Sequence, residues 1–251
     1  MKVDLAGQSV LITAGASGVG RAMATGFHAA GASVHVVDVD EAALASCPDA
    51  WGKSCFDVTD EGAIESLFKE LRVDILCANA GIAGPTAAIE DVSLTDWRAC
   101  VAVNLDASFL FAKHAASGMK ARGAGSMIFT SSTAGLHGYP RRAPYASAKW
   151  AVIGLAKTLA MELGPYGIRA NAICPGSVEG PRMDGVIARE AAAKGRDPQE
   201  IRDGYASGTS MRTFVEAEDI ANTAVFIASP AGRYITGQAL SVDGHVFNPD
   251  P

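Results

Sequence analysis

The feature that most limits what this chain can fold into is an alternation, repeated along its length, of short β-branched runs with longer helical stretches. Ser9-Val10-Leu11-Ile12-Thr13 reads as a first strand, followed by a glycine-rich turn and a helix through about Ala30. Further strands are expected at 33–38, 54–58, 75–78, 126–131, 169–174 and 239–242. Strands separated by helices pair in parallel. Runs such as Val34-His35-Val36-Val37 and Met127-Ile128-Phe129 are close to continuously apolar, as strands covered by helices on both faces require. The expected fold class is α/β, a doubly wound parallel sheet of about seven strands in three layers.

Composition is consistent with that class and narrows the partners. With 49% hydrophobic and 19% charged residues the chain suits a packed globular enzyme rather than a disordered or fibrous one. A net charge of -6 gives no reason to expect nucleic acid or an anionic membrane as a partner, and no stretch reaches the ~20 apolar residues that span a bilayer. Cys47, Cys55, Cys77, Cys100 and Cys174 form no C-x-x-C pair and read as reduced structural thiols. With no apolar targeting run at its start, the chain is expected to be cytoplasmic. No repeat or linker divides it, so residues 1–251 are expected to form one domain. The polar stretch 177–213 breaks the alternation and is either a substrate lid or an ordinary surface insertion.

Several polar positions fall where such a sheet would bind a ligand. Thr13-Ala14-Gly15-Ala16-Ser17-Gly18-Val19-Gly20 follows the first strand and opens a helix, so its amides and the helix dipole face the place of a pyrophosphate. That arrangement either meets the backbone needs of a tight strand-to-helix turn alone or is of the Rossmann type, with Gly15, Ser17, Gly18, Val19 and Gly20 as dinucleotide-binding residues. The second strand ends in Asp38, which either accepts the adenosine ribose hydroxyls or caps the helix beginning near Asp40-Glu41. Asp57-Val58 and Asn79-Ala80-Gly81 stand at further strand ends and would converge on the same crevice. Thr59-Asp60-Glu61 and Ser93-Leu94-Thr95-Asp96 read as helix N-termini.

A second set carries the chemistry. Tyr145 and Lys149 are four apart and share a face of a helix. A free phenol, with a pKa near ~10, is a poor base at neutral pH, and a neighbouring ammonium stabilises the phenolate; the same spacing also occurs as a solvated surface pair. Ser132 follows the fifth strand and can polarise a substrate oxygen. Asn104 lies in a helical run, where an internal amide is unfavourable unless it bonds to something specific.

Taken in order, these residues resemble the single-domain branch of the short-chain dehydrogenase/reductase family. The resemblance runs nearly end to end: Thr13 to Gly20 resembles its T-G-x-x-x-G-x-G turn, Asn79-Ala80-Gly81 its N-A-G, and Asn104, Ser132, Tyr145 and Lys149 its helical Asn, Ser and Y-x-x-x-K. Pro175-Gly176 matches the family's P-G beside the nicotinamide, with Val178 just after it. Ala14 departs from the motif glycine, and Gly180 stands where the family often has Thr.

The resemblance implies an NAD-dependent oxidoreductase that moves a hydride between nicotinamide and a secondary alcohol or ketone carbon, and Arg141, Arg142 and Arg182, unless they are ordinary surface arginines, point to a polar substrate such as a sugar or hydroxy acid. Ser132, Tyr145, Lys149 and Asn104 would be its catalytic residues, with Tyr145 and Lys149 also at the cofactor and no metal. It also implies a homodimer or homotetramer. Alternatives are a non-catalytic NAD sensor on the same fold and a nucleotide-sugar epimerase or dehydratase.

Overall fold

The computed structural model describes residues 3–248. Seven strands, β1 (Ser9–Thr13), β2 (Ser33–Asp38), β3 (Gly52–Cys55), β4 (Ile75–Ala78), β5 (Gly125–Thr130), β6 (Ile168–Pro175) and β7 (Ala239–Val242), form one parallel sheet in the order β3-β2-β1-β4-β5-β6-β7. The order reverses direction between β1 and β4, which opens a crevice beyond the carboxyl ends of those strands.

The apolar runs follow from what covers the sheet. Leu11, Leu76, Met127 and Phe129 point to one face and pack with Ile64, Phe111 and Val152, from helices α3 (Glu61–Glu70), α5 (Ala107–Arg122) and α6 (Ala143–Leu163). Their neighbours Val10, Ile12, Ile75 and Ile128 point to the other face, against Met23, Phe27 and Ile220 of α1 (Gly18–Ala29) and α9 (Ala217–Ala228). A period of two with both faces buried gives a continuous apolar run. Each large side chain buried in this way contributes ~1.5–3 kcal/mol.

The short α2 (Glu41–Ala45) is capped by Asp40, whose carboxylate accepts from the amide of Ala43. Asp60 caps α3 through the amide of Ala63, and Ser93 caps α4 (Leu94–Val101) through that of Asp96. Between α4 and α5 the chain makes one wide turn, Ala102–Asp106, in which the amide of Ala107 donates to the carbonyl of Ala102, five residues back. Asn104 therefore sits on a π turn and not in a regular helix.

One strand boundary needs correction. The third strand is Gly52–Cys55, not 54–58, so Asp57 and Val58 lie beyond its end. Phe56 and Val58 are apolar because they pack on the helical layer, Phe56 stacking on Phe111 with centroids 6.5 Å apart. The polar segment 177–213 is mostly helical: α7 (Pro181–Lys194) and α8 (Pro198–Ser207) bury Ile187, Ala191, Ile201 and Tyr205 in a small core of their own. A polar chain joins this pair to the loop ahead of α6, with the hydroxyl of Tyr139 donating to that of Tyr205 at 2.6 Å, and Tyr205 donating to Glu190 at 2.5 Å.

Candidate active site

A cavity of about 280 Å³ lies over the crevice between the glycine-rich turn and the first turn of α6. Ser17, Gly18, Val19 and Gly20 line it from the turn, and Asn79 and Gly81 from beyond β4. Ser132, Tyr145 and Lys149 line the opposite wall, and Pro175, Gly176 and Val178 its floor. Gly15, Asp38, Asp57, Val58, Ala80 and Asn104 stand behind or beside this space and not on its wall.

The turn is tightly built. A methyl on Gly20 would lie 2.0 Å from the carbonyl oxygen of Ala14, so the helix start can pass under the turn only without a side chain. Gly15 serves packing: a methyl there would meet Val36 at 2.6 Å. Ala14 occupies the left-handed region at φ 50, where an alanine costs ~1–2 kcal/mol that a glycine avoids. Ala14→Gly is therefore expected to raise stability by up to about 1 kcal/mol, or ~2–4 °C in Tm, after loss of its methyl contacts. Thermal unfolding decides this, and a lower Tm would show that the methyl contacts outweigh the strain.

Asn79 and Thr13 hold the strand ends together. The Thr13 hydroxyl accepts from the amides of Asn79 and Ala80, both at 2.9 Å, and the Asn79 side chain donates to the carbonyl of Thr13 at 3.2 Å. Thr130 completes the set by donating to Asn79 Oδ1 at 3.0 Å. Asp57 accepts from both the amide and the hydroxyl of Thr59, closing the turn into α3. Asp38 is not the cap of α2: one carboxylate oxygen accepts from the amide of Ala16 at 3.1 Å, and the other from Val39 and Asp40. This ties the tip of β2 to the glycine-rich turn.

On the opposite wall, Pro144 suits the first turn of α6, where no amide donor is needed, and this start aims Tyr145 at the cavity. Lys149 is buried, donates from Nζ to the carbonyl of Thr130 at 2.7 Å and lies 5.6 Å from the centre of the Tyr145 ring. Burial opposes ionisation of Tyr145, but the ammonium of Lys149, with Arg182, a hydrogen bond from Ser132 and Arg142, outweighs it and holds the phenol below its ordinary pKa. Burial also holds Lys149 below the usual lysine value, partly offset by Tyr145.

Asn104 reaches this group from the π turn. Its amide nitrogen donates to the carbonyls of Cys100 at 2.9 Å and Ile82 at 3.0 Å, while Oδ1 is buried with no protein donor. A methyl on Gly81 would lie 2.6 Å from that oxygen and 3.3 Å from Lys149 Nζ. Only glycine lets both polar groups approach the same point.

The arrangement fits a dinucleotide. It joins a glycine-rich phosphate turn, a carboxylate at the tip of β2, and an orphaned polar oxygen beside a lysine and a phenol held below its ordinary pKa. Such a site can take a proton from, or return it to, a substrate oxygen. Sequence reasoning did not single out Thr13, Thr130 or Tyr139. The first two are hydroxyls beside motif residues, which is the signal that could have found them. Among the described residues no group of three His, Cys, Asp or Glu could hold a metal ion, and no helix is long and apolar enough to cross a membrane.

Comparison with known proteins gives the following. A family model described as enoyl-(acyl carrier protein) reductase matches residues 13–245. A 2-keto-3-deoxy-L-fuconate dehydrogenase of Xanthomonas campestris is 36% identical over 96% of this chain and 80% of its own. A 3beta-hydroxysteroid dehydrogenase of Mediterraneibacter gnavus is 33% identical over 94% of this chain and 93% of its own. Among solved structures, a protein assigned as an NAD(P)-dependent gluconate 5-dehydrogenase from Beutenbergia cavernae, with NADP at low occupancy, superposes with a TM-score of 0.87 at 31% identity, covering 97% of this chain and 98% of that one.

Proposed function

The chain belongs to the short-chain dehydrogenase/reductase family, and from that premise we propose that it is a single-domain, NAD-dependent dehydrogenase in which Tyr145 transfers the proton. It is an NAD(P)-dependent oxidoreductase acting on CH–OH groups. The observation that carries the proposal is the meeting of Tyr145, Lys149 and Ser132 on one wall of a cavity whose other wall is the glycine-rich turn.

When bound, the nicotinamide supplies the hydride acceptor in oxidation and the donor in reduction. Ser132 holds the substrate oxygen by its hydroxyl. In oxidation the phenolate of Tyr145 takes the hydroxyl proton; in reduction the phenol returns it. Lys149 stabilises the phenolate and holds the nicotinamide ribose. Asn104 Oδ1 and Lys149 Nζ flank Gly81, and a water held by Asn104 would pass the proton on toward solvent. Pro175, Gly176 and Val178 on the lining, with Ala80 behind it, would hold the nicotinamide end, and Asp57-Val58 the adenine end. Asp38 selects NAD. A panel of alcohols, sugars and hydroxy acids with NAD, read by cofactor absorbance, tests the reading, and no reduction of NAD by any of them would count against it.

The same proposal covers assembly and place of action. Phe109 on α5 and Trp150 and Met161 on α6 are exposed at 49%, 52% and 82%, and a methyl on Gly154 of α6 would meet nothing. These helices present apolar and small surface to pair across a two-fold axis, giving a homodimer or homotetramer. Light scattering is expected to give at least twice the chain mass of 25.8 kDa, with Gly154→Arg shifting the population toward monomer. A wild-type monomer at working concentration would overturn this. Five free thiols suit a reducing cytoplasm.

A further inference from the structure

Arg142 helps to lower the pKa of Tyr145, but that part does not account for its burial. It precedes α6, is 7% exposed, and lines the cavity three residues before Tyr145. Its guanidinium carbon lies 4.9 Å from the centre of the Tyr145 ring. Among the described residues its only side-chain hydrogen bond is a donation to the carbonyl of Ala83 at 3.2 Å, Nε is buried with no acceptor, and it makes no ion pair. Buried arginines are ordinarily paired, because an uncompensated charge away from water is costly.

The backbone is bent to put it there. Arg141 adopts the left-handed region at φ 60, and the amide of Arg142 donates to the carbonyl of Tyr139 at 3.3 Å, closing a tight turn. A strained non-glycine residue persists only where its surroundings demand it.

The charge around the cavity is unbalanced in the same sense. Arg142, Lys149 and Arg182 line it, with Arg182 donating to the carbonyl of Gly81 at 2.7 Å. Among the described residues the one acid on the lining is Glu179, and its carboxylate is taken by Arg202. Lys149 is committed to the proton-transfer pair. The phosphate turn lies at the other wall, so a cofactor pyrophosphate there would not neutralise Arg142.

We propose that Arg142 is a specificity-determining residue that binds a substrate carboxylate, so that the enzyme acts on short-chain hydroxy acids and the corresponding keto acids. This rests on the dehydrogenase reading above and names its substrate class. The guanidinium presents a planar fork that matches a carboxylate in two parallel hydrogen bonds. Arg142 and Tyr145 stand within one helical turn, so the carboxylate is held close to the carbon that reacts, which selects short acids over long ones. The reaction balances as alcohol plus NAD⁺ giving ketone, NADH and a proton, with the carboxylate unchanged.

The test compares 2- and 3-hydroxy acids of three to six carbons with their methyl esters, in wild type, Arg142→Lys and Arg142→Gln. Wild type is expected to favour the acid over its ester by at least about tenfold in kcat/KM. Arg142→Gln lowers both, since the guanidinium also assists Tyr145, but it collapses the acid-to-ester ratio toward one; Arg142→Lys, which keeps charge but not the fork, falls between. Butyrate titrated into the wild-type enzyme with NAD⁺ is expected to bind, and at least about tenfold more weakly to Arg142→Gln. A wild type that prefers esters, a ratio unchanged in Arg142→Gln, or butyrate that does not bind overturns the proposal. Preference for neutral alcohols would overturn it while leaving the dehydrogenase intact, whereas butyrate binding without turnover of any alcohol would strike at the dehydrogenase itself.

Discussion

Tyr145→Phe is expected to lower turnover by roughly a thousandfold while NAD binding changes little. The substitution removes one oxygen, the one proposed to exchange a proton with the substrate; positioned proton transfer is worth ~10²–10⁴ in rate. The phosphate turn is on the opposite wall, with Asp38 tied to it from behind, and both keep their geometry. The pH profile supplies an independent readout. For oxidation the active form is phenolate, so kcat/KM rises with pH and levels off above an apparent pKa below the ordinary tyrosine value, because Lys149 and its neighbours outweigh burial. For reduction the phenol is needed, and the rate falls as pH rises through the same point. Since Tyr145 and Lys149 interact, that pKa belongs to the pair. Tyr145→Phe should abolish this limb in both directions. Near-normal turnover in the variant, or an unchanged limb, would remove Tyr145 from the mechanism.

The second large effect concerns which cofactor is accepted. Asp38 uses lone pairs of both oxygens on the amides of Ala16, Val39 and Asp40, which fixes its carboxylate at the tip of β2 and leaves further acceptor capacity facing outward. A ribose 2′-hydroxyl there donates to it; a 2′-phosphate meets a like charge. At ~4 Å and a surface-like dielectric two unit charges interact by roughly 4 kcal/mol, so even a heavily screened fraction gives a preference of about tenfold or more for NAD. The next residue, Val39, is 64% exposed and offers no cation to pair with a phosphate. Asp38→Ser with Val39→Arg is therefore expected to shift the NAD-to-NADP ratio of kcat/KM toward NADP by at least about tenfold, at some cost in stability from the lost bond to Ala16. The solved relative holding NADP makes the parent measurement the decisive one. A parent that favours NADP would reduce Asp38 to a tie between strand and turn.

How much of this was legible in the sequence depended on whether the local pattern had one cause or several. β1, β2 and β4 could be read because each carries a run of β-branched or apolar residues buried on both faces, interrupted in β2 only by His35. β3 could not: Gly52-Lys53-Ser54-Cys55 is an edge strand pairing only with β2, and the apolar signal came from Phe56 and Val58, which serve a helical layer. Asn104 looked like an ordinary helical residue because a π turn changes one hydrogen bond and no residue type. The segment after Val178 hid two helices behind a polar composition, although Gly195 in the left-handed region and the cap Asp197 before Pro198 mark where one ends and the next begins. The catalytic wall was legible as a set of residue types; that Arg142 is buried beside Tyr145 depends on the turn at Arg141, which no periodicity records.

The small core shared by α7 and α8 has a consequence for how such a chain can change over generations. Ile187, Ala191, Ile201 and Tyr205 belong to that pair alone, whereas the sheet is held by two larger clusters on its faces. A mutation among these four draws first on the pair's own local stability, and reaches the wall carrying Tyr145 only through Tyr139, which bonds Tyr205, and through Arg182, which bonds Gly81. The shape of the substrate entrance and the chemistry behind it can therefore drift independently, so descendants of one ancestor can acquire new substrates without rebuilding their catalytic machinery.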